Sequence, residues 1–157
     1  MSTFLYERWR ALAVRRPDDV PAATPLAWHI EKLDEHDHRL TSRSRPVGTR
    51  YGAGRGDALA AIALHESVHR HIERERGSRI REAIELGATW NEVATALGST
   101  SGAARNALRR WADAQRRVNR RDIEHAPGEA LGLDPDGYAA VLALGRLGDD
   151  ERGAGSG

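Results

Sequence analysis

The chain has 157 residues, 24 of them basic and 23 acidic, for a formal net charge of +1. That length holds one compact domain, or one small domain with appendages. The absence of cysteine excludes disulfides and thiolate metal sites; no apolar run reaches bilayer length and no signal peptide is visible, so a cytoplasmic protein with no membrane partner is expected.

Residues 3–16 predict a helix with Leu5, Trp9 and Leu12 on one face, ended near Pro17. Thr24 then caps a second helix with Pro25 at its first position. Leu26, Ile30, Leu33 and Leu40 mark its expected buried stripe. Residues 41–56 carry four glycines, four arginines and no acid. They read as a flexible basic linker, with a cationic arm that enters a minor groove as the sharper alternative. Asp57 caps a long helix, expected over residues 58–86 and bent near Gly77 and Ser78. Its stripe is Ala61, His65, Val68 and Ile72, continued by Ile80, Ala83 and Ile84.

Residues 89–111, TWNEVATALGSTSGAARNALRRW, carry the densest signal. Thr89 and Glu92 have capping-box spacing. Val93, Ala94 and Leu97 follow at helical spacing, and Gly98 suits the left-handed residue that ends a helix. Ser99, Thr100 and Ser101 offer oxygens to cap a second helix over residues 101–112. Ala104, Leu108 and Trp111 form its buried stripe; Arg105, Asn106, Arg109 and Arg110 lie opposite. Beyond Arg121 the chain loosens. A last helix is expected over residues 135–147, with Tyr138, Val141, Leu142 and Leu144 exposed or packed on a neighbour, and residues 153–157 are expected to be disordered.

The two-helix stretch resembles the helix-turn-helix of bacterial transcription regulators and of the fourth region of sigma factors, in a type common in actinobacterial proteins. The matching residues are Gly87, Ala88, Thr89 and Trp90 at the start and Ala96, Leu97 and Gly98 at the turn, within residues 79–112. Ser99 departs from the family, which usually has valine or isoleucine there. The resemblance implies double-stranded DNA as partner and Thr100, Ser101, Gly102, Arg105, Asn106 and Arg109 as base-reading positions. The side-chain chemistry agrees, because arginine and asparagine bond guanine and adenine edges bidentately. Thr89 and Asn91 are expected on phosphate. Arg110, Arg116, Arg117, Arg120 and Arg121 would add phosphate contacts without sequence preference. Solvation of a helix face is the plainer account of these arginines, and a protein-interaction module the second functional reading.

Only Lys32 stands against 23 arginines, which suits a GC-rich genome and weakens arginine excess as a sign of nucleic acid. The distribution says more. Residues 99–121 hold seven arginines and the single acid Asp113, a balance of +6, whereas residues 122–157 hold two arginines and eight acids, a balance of −6. An acidic tail of this kind either shields the basic face until DNA displaces it or is a solvated terminus.

A competing motif is HESVH at residues 65–69. His65 and His69 are spaced to share a zinc ion on one helix face, with Glu66 as general base of a metallopeptidase. Glu85, Glu92 and His125 are the candidate third ligands, and His71 could join a looser cluster. Arg70 and a core position for His65 speak against it. The expectation is therefore an all-α protein, divided into a helical pair at 1–42, a basic linker at 43–56, a support helix plus helix-turn-helix at 57–121 and an acidic segment at 122–157. Its expected function is sequence-specific DNA binding in transcription regulation. No enzyme activity and no cofactor are expected, and a homodimer or a protein partner is.

Overall fold

The structure, a computed structural model, describes residues 2–42, 54–125, 128 and 130–153. It is all-helical, with no strand among the described residues. The expected basic linker falls largely, and the expected disordered tail almost wholly, outside the described residues. The chain divides into two compact units, Met1–Ile72 and Glu73–Gly157, so the division falls inside a helix rather than in the basic linker.

The first unit holds α1 (Ser2–Ala11), a 3₁₀ turn (Pro17–Asp19), α2 (Leu26–Ser42) and the first part of α3 (Arg55–Glu85). Trp9, Val14, Ala63 and Leu64 are its core. Helix α1 stops at Ala11, five residues before the expected end. Leu5 and Ile30 of the expected stripes are exposed, and α2 instead buries His29 and Lys32. The reason is a contact between α1 and α2. The Lys32 ammonium donates to the carbonyls of Trp9 (2.6 Å) and Arg10 (3.0 Å) at the end of α1, the former also accepting from the Leu12 amide. It also lies 4.6 Å from the Trp9 ring centroid. Burial pushes this ammonium below its ordinary pKa range. The one lysine is thus a helix-end clasp, and it turns α2 away from its most apolar face.

Helix α3 begins two residues before its expected cap and runs unbroken past Gly77. The Asp57 carboxylate accepts from the Gly54 amide and from Arg39, which with His36 lowers its pKa to about 2. In the first unit α3 buries Ala60, Ala61, Ala63, Leu64 and Ser67. His65 is therefore exposed, contrary to its expected core position, because the buried stripe centres on Leu64.

The second unit holds the rest of α3, α4 (Trp90–Ala96), α5 (Ser101–His125) and α6 (Pro135–Leu144). Its core joins Ile80, Ile84, Trp90, Val93, Ala104, Leu108, Ala112, Leu133 and Val141. The expected bend at Gly77 is replaced by a close approach: a Cβ added there would overlap Cβ and Cγ of Trp111 on α5. Trp111 is only half-buried, and Ala112 takes the fully buried place. Helix α5 is longer than expected, reaching His125.

The α4–turn–α5 pair forms as its local sequence dictates. The Thr89 hydroxyl accepts from the Glu92 amide (3.2 Å), and the Glu92 carboxylate accepts from the Thr89 amide (2.7 Å). That backbone donor holds the Glu92 carboxyl below its ordinary pKa range. Gly98 has φ +58°, and the following Ser99 amide donates back to the Ala94 carbonyl at 2.9 Å. Thr89→Ala is expected to lower unfolding free energy by about 1 kcal/mol, with Thr89→Ser close to wild type. Equal denaturation midpoints for all three proteins would remove the cap from the account of α4.

Candidate nucleic-acid interface

Helix α5 presents two different faces. Asn106, Arg109, Arg110, Arg117, Arg120 and Arg121 recur at helical spacing and lie along one side for about 22 Å, given the rise of an α-helix. All six are exposed. No hydrogen bond or ion pair to another described residue engages their side chains, while the Arg121 carbonyl accepts from the His125 ring at 2.7 Å. Asp113 is the acid within this stripe, and its carboxylate accepts from the Tyr138 hydroxyl at 2.6 Å, which raises the tyrosine pKa. Gly102 is exposed on the first turn.

The other sequence-predicted contacts are engaged within the protein. The Thr89 hydroxyl caps α4 and is buried; the Thr100 hydroxyl accepts from the Ala103 amide at the start of α5. Arg105, expected to read a base, turns inward. Its Nε donates to the Gly145 carbonyl (3.2 Å) and its Nη2 to the Leu147 carbonyl (2.7 Å). Its Nη1 pairs with Asp149 at 2.6 Å. The guanidinium also stacks 4.9 Å from the ring centroid of the fully buried Trp90. Its side chain is only 25% exposed. Arg116 donates to the side-chain carbonyl of buried Asn119 at 2.8 Å, which fixes it beside the loop leading to α6. Arg105 and Arg116 therefore do not stand in the exposed stripe in which the sequence placed them.

For Arg105 the reason lies in residues 145–153: the last helix ends at Leu144, not at the expected 147, and the acidic segment that follows, up to Gly153 of the expected disordered tail, lies against α4 and α5. The Asp149 carboxylate accepts from the Ser101 hydroxyl at 3.2 Å, and its carbonyl accepts from the Asn91 amide at 3.1 Å. The Asn91 side-chain amide donates to Asp150 at 2.7 Å. The Arg105 guanidinium, helped by the Ser101 hydroxyl, holds the Asp149 carboxyl below its ordinary pKa range. Arg152 donates to the Gly87 carbonyl at 2.8 Å, and Gly153 is buried against Ile84. Charge segregation along the sequence was the signal for this contact, but it carries no information on which atoms meet.

A cleft of about 310 Å³ opens between α5 and α6, lined by Arg105, Asn106, Arg109 and Arg146 over Leu108 and Val141. Arg146 joins the basic surface here, a residue that sequence spacing did not single out because it belongs to another helix end.

His65 and His69 are both exposed on α3, and Glu66 is held by Arg70 at 2.8 Å, which lowers its pKa. Glu85 pairs with Arg81, and Glu92 is part of the cap. Among the described residues no group of three His, Cys, Asp or Glu side chains comes together. No helix of the described residues is long and apolar enough to cross a membrane. Comparison with protein-family models, with curated proteins and with solved structures finds no match for the chain.

Proposed function

We propose that this protein binds double-stranded DNA sequence-specifically, as a transcription regulator, by laying the exposed stripe of α5 in the major groove. The observation that carries the reading is the row of five exposed arginines and Asn106 whose side chains make no hydrogen bond or ion pair with another described residue. A row of guanidiniums on a rigid helix suits a polyanion with regularly spaced charges. Asn106 and Arg109, near the first turns of α5, are the base readers, and exposed Gly102 leaves room for the backbone to approach. Arg110, Arg117, Arg120 and Arg121 hold phosphate. Arg105 is a positioning residue rather than a base reader. One helix reads one half-site, so a homodimer or a partner protein completes the site.

The test is selection from a random duplex library with wild type and Asn106→Ala/Arg109→Ala in parallel. Wild type is expected to enrich a motif, with symmetry if the protein is a dimer. The double variant is expected to lose about 1–3 kcal/mol per contacted base and to relax the motif there. Arg117→Ala/Arg120→Ala is expected to weaken all sequences equally and to lower the logarithmic salt slope by about two. No enriched motif for wild type would overturn the reading in favour of a protein-interaction module.

A further inference from the structure

We infer that residues 148–151 form an acidic strap that blocks the first turn of α5 and swings off it when DNA docks. The inference rests on the DNA-binding reading above. Asp149 and Asp150 hold three of the residues that the sequence assigns to DNA, namely Asn91, Ser101 and Arg105. Each of those groups donates to a carboxylate oxygen where a backbone phosphate oxygen offers the same chemistry, an anionic acceptor of charge-assisted hydrogen bonds. With the strap in place, the exposed stripe begins only at Asn106. A duplex approaching the first turn of α5 meets two carboxylates instead of donors, and like charges repel it.

The strap is built to exchange. Asp149 is 49% exposed and Asp150 is exposed, so their side-chain pairs are water-competed and individually weak, and the one backbone bond to be given up is that of the Asn91 amide to the Asp149 carbonyl. On either side the chain is held differently. Leu147 packs on the core and its carbonyl is bound by Arg105, whereas buried Gly153 abuts Ile84 and Arg152 ties to the Gly87 carbonyl. A short segment with weak central contacts and fixed flanks is displaced without unfolding the four-helix unit, and its carboxylates return when DNA leaves.

Asp149→Asn/Asp150→Asn tests this, measured against the selected duplex beside Glu82→Gln/Glu85→Gln, which makes the same charge change on α3. The strap variant is expected to bind roughly tenfold tighter than wild type, and the α3 variant only about twofold tighter. Hydrogen exchange of the wild-type protein gives an independent readout. Saturating DNA is expected to speed exchange in residues 148–151 while protecting the first turns of α5. Equal affinity gains for the two variants, or protection of residues 148–151 by DNA, would overturn the strap. If circular dichroism finds the strap variant unfolded, the exchange result on wild type decides alone. If wild type and both variants bind no duplex, the DNA-binding reading itself fails.

Discussion

Gly77→Ala is expected to lower the unfolding free energy of the second unit by about 3 kcal/mol. An alanine in mid-helix ordinarily gains about 1 kcal/mol over glycine from backbone entropy, so the sign alone is informative. Here the added methyl would overlap Cβ and Cγ of Trp111 and sit 3.1 Å from its Cδ2. Cβ is fixed by the backbone of α5, so no rotamer of Trp111 relieves the overlap. The two helices must separate, and that opens the core around Ile80, Leu108 and Ala112. For the same reason Trp111→Ala, which keeps Cβ, is not expected to rescue Gly77→Ala in a double-mutant cycle. Ser78→Ala, on the exposed next position, is expected to be neutral or slightly stabilising. Chemical denaturation followed by circular dichroism measures all four. A Gly77→Ala protein more stable than wild type would mean that α3 and α5 do not approach at this point.

Arg105→Ala is expected to be the most damaging of the arginine substitutions on α5, costing about 2–3 kcal/mol of stability. The guanidinium satisfies two carbonyls after α6, pairs with Asp149 and covers Trp90. Charge-assisted bonds of this kind contribute more than neutral ones, and partial exposure keeps the total below that of a buried pair. Arg105→Lys keeps the charge but loses the planar fork, so it is expected to recover less than half of the loss. Arg109→Ala and Arg117→Ala, both exposed, are expected to change stability by less than about 0.5 kcal/mol. The DNA readout separates positioning from base reading. Below its melting temperature Arg105→Ala is expected to select the same motif as wild type with weaker binding, whereas Arg109→Ala changes the motif. Unaltered stability in Arg105→Ala together with a changed motif would restore Arg105 as a base reader.

The local signals in the sequence were read well where one segment suffices. Thr89 with Glu92, Gly98 after the first helix, and the Ala104–Leu108 stripe are relations within a few residues, and backbone geometry fixes them. The zinc spacing at His65 and His69 was equally local, yet a metal site needs a third ligand from elsewhere in the fold, which spacing does not supply.

Side-chain commitments were legible only in part. Arg105 and Arg109 are alike in sequence, four residues apart on one helix. The difference is that the Gly145 and Leu147 carbonyls and the Asp149 carboxylate bond the first and not the second. Likewise α2 carries four leucine and isoleucine positions at helical spacing, but the Trp9 and Arg10 carbonyls at the end of α1 hold Lys32 inward, and Ile30 is left in solvent.

By itself, then, the sequence determined the all-helical class, the capped α4–turn–α5 pair and the concentration of arginine on α5, because periodicity, caps and composition act within a helix. Only the tertiary structure decided which arginines remain free, why Gly77 is a glycine, and that an acidic segment meets the first turn of α5. Those outcomes depend on which distant backbone carbonyls and carboxylates come within hydrogen-bonding reach of each side chain, and packing alone sets that.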